Sequence, residues 1–118
     1  MLFEVFGQAA ALAVPEEASA YGTRRFDKIL TLITITFTDL SLSDVIDEWA
    51  KAQRDLLFST SGYDKDHVYM NYAHGDEGLH AIYGYDSERI NKLQRIKSKY
   101  DPKDVFNGYH DIPLLGAY

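Results

Sequence analysis

The sequence predicts a two-layer α+β domain, in which an antiparallel sheet of about four strands carries two helices on one face. Short runs rich in β-branched and aromatic residues alternate with two longer runs of helical periodicity, in the order β-β-β-α-β-α. The chain has 118 residues, the length of one domain. Its composition is 46% hydrophobic and 25% charged, as in globular proteins with a core. We therefore expect one α+β domain over residues 1–113, followed by a short tail at 114–118.

The first three strands are predicted at residues 2–6, 9–14 and 28–38. The third is the clearest, because isoleucine and threonine dominate it. One of its faces is mostly apolar, whereas the other begins with leucines and ends in hydroxyls that include Thr34 and Thr36. The apolar face is expected to contact the helices, and the second face to be partly open to a polar group.

The fourth strand is predicted at residues 67–73. Side chains alternate between the two faces of a strand. This alternation would bring His67, Tyr69 and Asn71 to one face of the predicted sheet.

Two helices are predicted, at residues 41–60 and 86–99. Ser43 is the expected N-cap of the first, with acidic residues after it at the positive end of the helix dipole. Apolar residues recur at helical spacing in both, which predicts one buried face on each helix. These residues are Val45, Trp49, Ala52 and Leu56 in the first helix, and Ile90, Leu93, Ile96 and Tyr100 in the second.

The predicted architecture leaves one face of the sheet without a covering layer. Two helices cover only the opposite face, and the bare face would carry tyrosine, threonine and aliphatic side chains. Apolar surface of this extent normally packs against another protein surface. We therefore expect a homodimer in which the bare face of each copy covers the other.

The charge balance excludes some partners. Twelve Lys and Arg stand against 18 Asp and Glu, a net charge of −6, which disfavours nucleic acid and anionic membranes as partners.

There is no cysteine, and the four histidines lack the i, i+4 spacing of a helical metal site, so we expect no metal. No run is long enough to span a membrane. Residues 8–14 only weakly resemble a signal-peptide core, so a cytoplasmic location is expected, with secretion as the alternative.

An ordered set of short motifs runs along the chain. Its second half carries Tyr-Met-Asn-Tyr at residues 69–72, Tyr-Gly at 83–84, Arg-Ile at 89–90 and Lys-Ser-Lys-Tyr-Asp-Pro-Lys-Asp-Val-Phe at 97–106. The set resembles the C-terminal berberine-bridge-enzyme-like segment of FAD-linked oxidases, especially the fungal ones. In that family leucine is usual at the position of Ile90. The similarity extends upstream, so that it covers about residues 3–113.

The resemblance implies a place near a flavin. It places Asn71 and Tyr72 beside the isoalloxazine ring and makes the sheet the substrate side of the pocket. The family's flavin-binding part, whose FAD is often attached through His and Cys, has no counterpart in these 118 residues. The chain thus looks like the C-terminal part of such an oxidase standing alone, and we expect no bound cofactor.

The candidate site is centred on the predicted strand at residues 67–73. His67 is the candidate base, Tyr69 the candidate acid, and Asn71 the candidate donor to a carbonyl or oxyanion. The alternative is that these side chains only pack on a half-exposed strand. Further residues are predicted to contact the substrate: Tyr72, Thr34, Thr36 and His74.

Three functions remain open at this point. The first is a flavin-free enzyme of fungal secondary metabolism that acts on a natural-product intermediate. It would be a cyclase, isomerase or lyase that uses acid–base or pericyclic chemistry. Its pocket would lie between two subunits. The second is a truncated or split FAD-linked oxidoreductase that needs a separate flavin domain. The third is a noncatalytic module that binds a small molecule or a protein, or a gene remnant. The first is the interpretation that the sequence favours.

Overall fold

A computed structural model describes residues 1–26 and 28–116. The chain falls into two compact units. Met1–Val5 and Ile29–Asp66 form the first, called the sheet unit below. Phe6–Lys28 and His67–Tyr118 form the second. We call it the arginine unit because it contains the two buried arginines, Arg24 and Arg89.

The sheet unit contains one antiparallel strand pair and one long helix. Strand β1 (Leu2–Val5) pairs with β2 (Ile29–Leu32), and Phe3 lies opposite Thr31. The chain then enters a 3-10 turn at Leu40–Leu42, where the Asp39 carboxylate accepts hydrogen bonds from the Ser41 amide (3.0 Å) and hydroxyl (2.7 Å). These two bonds hold the pKa of Asp39 below its ordinary value.

The long helix of the sheet unit is the one predicted at residues 41–60. We number it α2 (Ser43–Thr60), since a short helix α1 (Ala9–Leu12) precedes it in the chain. Ser43 is its first helical residue rather than its N-cap, which is Leu42 and makes no side-chain capping bond; the Asp39 carboxylate caps the preceding 3-10 turn instead. The predicted apolar stripe is present but not buried: Val45, Trp49 and Leu56 are each more than half exposed.

The arginine unit is built from short elements joined by loops. It holds α1, a 3-10 turn at Glu16–Ala18, a 3-10 turn at Met70–Tyr72, and helices α3 (Leu79–Tyr83) and α4 (Ser87–Tyr100). The Asp86 side chain caps α4 by accepting from the Glu88 amide at 2.9 Å. This helix confirms the second helix predicted from the sequence.

The centre of the arginine unit is more polar than apolar. Its buried hydrophobic residues in the described part of the chain are Ala81, Ile82 and Ile90, beside Thr23, Arg24, Arg89, Gln94 and Asp101. The Arg89 side chain is 3% exposed, and its guanidinium donates to the carbonyls of Tyr83 (3.3 Å) and Glu16 (3.0 Å). The Glu16 carboxylate, 3.3 Å away, balances the charge. A buried guanidinium is stable only with such partners.

Two glycines allow the chain segments around Arg89 to approach each other. A Cβ on Gly22 would lie 2.2 Å from the Tyr83 carbonyl oxygen, and one on Gly84 would lie 2.5 Å from Arg89 Nη1. Gly84 also has φ of +92°, which side chains rarely adopt. The end of α3 and the segment at Gly22 are therefore in direct backbone contact.

A largely buried lysine, Lys97, fixes the chain after α4. Lys97 Nζ lies 2.7 Å from Asp101, 2.9 Å from Asp104 and 3.1 Å from Asp111, and it donates to the Phe106 carbonyl at 2.5 Å. Its bonds to Asp101 and Asp104 raise the pKa of Lys97, and the bond from Lys97 holds the pKa of Asp101 below its ordinary value. We call these four charged residues the Lys97 cluster.

The α+β class is confirmed, but the predicted four-stranded sheet is not. The described residues contain one two-stranded sheet, and the order of regular elements is β-α-β-α-α-α. The predicted strand at residues 9–14 is replaced by α1 and a turn after it, since alanine is the best helix former. Residues 67–73 form no strand, because the Val68 amide donates to the Ala81 carbonyl of α3 rather than to a neighbouring strand. The predicted strand at 28–38 shortens to β2.

No helix in the described part of the chain combines the length and apolarity that crossing a bilayer requires.

Replacing Asp101 tests the Lys97 cluster. The Asp101 carboxylate also accepts from the amides of Val105 (2.8 Å) and Phe106 (2.9 Å). Its folded pKa lies below the unfolded value, so its stabilisation is complete at neutral pH and is lost as the pH falls below about 4. We expect Asp101→Asn to lower the free energy of unfolding in urea at pH 7 much more than at pH 3. Asp64→Asn, at an exposed carboxylate, should leave the free energy of unfolding unchanged at both pH values. Equal losses at both pH values for Asp101→Asn would contradict this role.

Candidate functional site

Three tyrosines form an aromatic cluster in the arginine unit. The ring of Tyr69 makes edge-to-face contacts with Tyr21 (centroids 6.2 Å apart) and Tyr72 (5.2 Å). The Met70–Tyr72 turn, closed by the Tyr72 amide on the Tyr69 carbonyl at 2.8 Å, brings Tyr69 and Tyr72 to the same side. Tyr21, Tyr69 and Tyr72 are called the tyrosine cluster below.

A polar pair lies at this cluster. The Asn71 side-chain amide donates to the Tyr69 phenol oxygen at 2.7 Å. Because that oxygen accepts, the Tyr69 phenol proton remains a hydrogen-bond donor, and hydrogen bonds in a chain polarise one another. The arrangement is suited to protonating or orienting an oxygen of a bound molecule.

His67 lies in a second aromatic group. Its ring stacks on Phe26 (centroids 3.5 Å apart, planes at 10°) and meets the edge of Tyr85 at 5.8 Å. The prediction that His67, Tyr69 and Asn71 share one strand face is wrong, because residues 67–73 form no strand. The structure joins Tyr69 to Asn71, whereas His67 packs against Phe26.

The other candidates are distributed over both units. Tyr72 is half-buried within the tyrosine cluster, and His74 is exposed in the following loop. Thr34 and Thr36 are exposed in the sheet unit, after β2. A single pocket formed by all seven predicted residues stays a prediction.

The arginine unit also contains a cavity that the sequence did not predict. Its volume is about 270 Å³, and its lining comes from the loop at residues 75–77, from α3 and from the segment at 108–111. The lining residues are Gly75, Glu77, Leu79, Ile82, Tyr83, Gly108, His110 and Asp111. Polar and titratable groups therefore lie together with the side chains of Leu79 and Ile82 around one partly open cavity.

Two titratable groups of the cavity have shifted pKa values. Burial, together with the nearby Asp111 carboxylate, raises the pKa of the Tyr83 phenol. Burial also acts to raise the pKa of Glu77, but amide hydrogen bonds from His74 and Gly75 outweigh it and leave that pKa below its ordinary value. Tyr83 thus stays protonated and Glu77 ionised at neutral pH.

His110 is held in an uncommon backbone conformation at the cavity. Its φ is +60°, and its carbonyl oxygen accepts from the Tyr83 hydroxyl at 3.1 Å. Its Nε2 atom is buried and has no hydrogen-bond partner among residues 1–26 and 28–116. His110 is one of the four histidines whose spacing does not match a helical metal site, and no sequence motif marks a left-handed backbone at a non-glycine residue.

Within residues 1–26 and 28–116, no group of three or more His, Cys, Asp or Glu side chains is placed to hold a metal ion.

Comparison with known proteins identifies the class of this segment. Residues 68–113 match the sequence model of the family described as berberine and berberine like. They include the Tyr69–Asn71 pair, the cavity lining and α4. This match confirms the resemblance of the motifs to the berberine-like segment.

Individual relatives extend the match to nearly the whole chain. It is 34% identical over 114 residues to the FAD-linked oxidoreductase tazG of Aspergillus terreus, covering 97% of this chain and 23% of that protein. It is 36% identical over 115 residues to the FAD-linked oxidoreductase fogF of Aspergillus ruber, covering 94% and 22%. The FAD-linked oxidoreductase OXR1 of Pyricularia oryzae is 34% identical over 116 residues, covering 96% and 22%. The chain thus spans less than a quarter of the length of these relatives, and no solved structure matches it.

The Tyr83 phenol should titrate above free tyrosine. With ring-labelled tyrosine, carbon NMR is expected to show one phenol that ionises at higher pH than N-acetyltyrosinamide and that disappears in Tyr83→Phe. Asp111→Asn should lower that pKa, because the carboxylate no longer opposes the phenolate. An unchanged or raised value in Asp111→Asn would exclude this electrostatic contact.

Proposed function

We propose that this chain forms the substrate-side part of an FAD-linked oxidoreductase, acting with a flavin-binding partner. The observation that carries the proposal is the Tyr69–Asn71 hydrogen bond at the tyrosine cluster, inside the segment that matches the berberine-like family. The names of the relatives, all FAD-linked oxidoreductases, support the same class. Of the functions left open by the sequence, this is the split oxidoreductase.

The described residues fit only part of an FAD molecule. The tyrosine cluster and the Asn71 amide offer the aromatic and polar contacts that suit a flavin ring. A dinucleotide also needs a positively polarised site for its diphosphate, usually a helix N-terminus. The N-termini of α2 and α4 instead carry Asp44 and the pair Asp86 and Glu88, which repel phosphate. The redox chemistry would therefore come from FAD held by the partner.

In this proposal the chain binds and orients the substrate. Tyr72 and Tyr21 would pack against an aromatic substrate, and the Tyr69 phenol would donate to one of its oxygens. Asn71 keeps the phenol in that orientation through its 2.7 Å bond. Each of these roles follows from the position of the side chain and requires no group absent from the chain.

A second candidate is the flavin-free enzyme that the sequence favours, of cyclase, isomerase or lyase type. The same Tyr69–Asn71 pair favours it, because acid catalysis by a positioned phenol requires no cofactor. The two functions differ in whether turnover needs flavin, and one experiment distinguishes them.

That experiment compares the chain alone with the chain mixed with a flavin-binding region from one of the relatives. We expect the purified chain to lack flavin absorption and to leave the C–H bonds of a panel of phenolic ketones unexchanged in deuterated water. The mixture should form a yellow complex that oxidises phenolic alcohols. Tyr69→Phe should reduce its kcat by about 100-fold, while Tyr100→Phe, at an exposed tyrosine, should have no effect. Exchange catalysed by the chain alone and lost in Tyr69→Phe would establish the flavin-free function instead.

We also propose that two copies associate through the sheet unit. Phe3, Val5 and Ile29 lie on one face of the strand pair and are each more than half exposed. Burial of such a face in a symmetric dimer removes apolar surface from water.

Light scattering after size exclusion tests this association. At micromolar concentration we expect twice the 13.4 kDa mass of one chain, and a single-chain mass for Val5→Glu. Val105→Glu, an equivalent change at an exposed valine of the arginine unit, should leave the dimer intact. A single-chain mass for the unmodified protein would refute the proposal.

A further inference from the structure

We propose that the exposed face of α4 binds an acidic helix of another protein. This face comprises Lys92, Arg95, Ile96 and Lys99, and we call it the basic face. It belongs entirely to the arginine unit and shares no residue with the cavity or the tyrosine cluster. The inference stands on this face alone and does not depend on the function proposed above.

The spacing of the cations places them on one side of the helix. Lys92, Arg95 and Lys99 follow one another at intervals of three and four residues, and side chains at these intervals are neighbours on a helix surface. All three are exposed. Ile90 and Gln94, on the opposite side of α4, are buried. The basic face is therefore the solvent side of this helix.

The charges of the basic face are not neutralised by neighbouring side chains. Within residues 1–26 and 28–116, no carboxylate lies within ion-pair distance of Lys92, Arg95 or Lys99. The acidic residue that follows the helix, Asp101, is bound to Lys97 instead. In a chain with a net charge of −6, the basic face is a local concentration of positive charge. An anionic partner would balance it.

The basic face also has an apolar part. The Ile96 side chain is 47% exposed and lies next to the cations on the same side of α4. Lys99 Nζ is 5.0 Å from the centroid of the Tyr100 ring, a cation–π distance that keeps this side chain close to the helix. A segment with an aliphatic side chain among its carboxylates would pair the cations and bury Ile96 at the same time.

The axial spacing of the cations selects a helix as the partner. At about 1.5 Å per residue, Lys92 and Arg95 are about 4.5 Å apart along the axis, and Arg95 and Lys99 about 6 Å. Carboxylates at positions i, i+3 and i+7 of a second helix repeat both intervals. In an extended segment, side chains on one face are about 6.6 Å apart, which matches only one of the two intervals.

The acidity of the rest of the chain excludes larger polyanions. A membrane surface or a nucleic acid duplex extends beyond three turns of helix and would also meet other parts of the surface. The chain has 18 Asp and Glu against 12 Lys and Arg, so those parts repel a polyanion. A single helix, about 10 Å across, meets the basic face alone.

Two peptides of one shape test the charge preference. Each is an alanine-based helix of about 20 residues with one leucine and three polar side chains at i, i+3 and i+7. The three are glutamates in one peptide and glutamines in the other. Each peptide is titrated at low salt into the ¹⁵N-labelled full chain. We expect the glutamate peptide to shift the amides of Arg95, Ile96 and Lys99 in a saturable manner, and the glutamine peptide to bind about tenfold more weakly.

Two polyanions of other classes are titrated in the same way: vesicles that contain phosphatidylserine, and a DNA duplex. We expect neither to shift the amides of α4. Equal binding of the two peptides would overturn the proposal. Shifts of α4 caused by the vesicles or the duplex, but not by the glutamate peptide, would overturn it as well.

The double variant Arg95→Gln with Lys99→Gln locates the site. Neither side chain forms an ion pair with another described residue, so the variant is expected to stay folded. Binding of the glutamate peptide should weaken about fivefold. The matched control is Lys28→Gln with Lys65→Gln, which removes two exposed positive charges outside α4. The control should bind the glutamate peptide as the unmodified chain does.

The two double variants also define the results that contradict the proposal. If both weaken peptide binding equally, the attraction comes from net charge and not from the basic face. If the variant at Arg95 and Lys99 binds the peptide unchanged, α4 is not the site. If that variant changes the mass of the unliganded chain in light scattering, the basic face contacts a second copy instead of another protein.

Discussion

The buried guanidinium of Arg89 is the interaction on which the arginine unit depends. It joins the carbonyls of Glu16 and Tyr83 to α4, and the Glu16 carboxylate balances its charge. Only three hydrophobic residues are buried in the described part of the chain, so hydrophobic burial alone is a weak constraint there. A desolvated cation without these acceptors would be strongly destabilising. The two chain segments must both come close to the Arg89 guanidinium to supply its acceptors. Their close backbone approach at Gly22 and Gly84 is therefore required.

The charged side chains of Arg89 and Lys97 also position the candidate sites. Arg89 holds the Tyr83 carbonyl, and this fixes the residue whose hydroxyl contacts His110. At the other end of α4, the Lys97 cluster holds Asp111 next to His110. The two walls of the cavity are thus attached to the two ends of one helix. Unlike a cavity set in an apolar core, this one has walls fixed by directional bonds, which specify side-chain orientation as well as position.

The similarity to the berberine-like family gives these features their functional context. The berberine-like match at residues 68–113 contains both the tyrosine cluster's Tyr69–Asn71 pair and the cavity. The chain corresponds to less than a quarter of its FAD-linked relatives, and it exposes large apolar residues such as Trp49, Val5 and Phe106. Acidic residues at the helix N-termini fit poorly with a diphosphate. These properties support the proposal that another polypeptide supplies the flavin.

The sequence by itself predicted the mixture of helix and strand, the resemblance to the berberine-like family, and the helices α2 and α4, because long periodic segments and ordered motifs are local signals. It also predicted that Tyr69 and Asn71 lie together, and they do, although a turn joins them rather than a strand face. The tertiary structure alone decided the rest. Residues 67–73 bond to α3 instead of a strand, and residues 9–14 follow their alanine content. The cavity at His110 forms because Arg89 and Lys97 bind carbonyls and carboxylates from distant positions, and no local pattern in the chain encodes such non-local pairings.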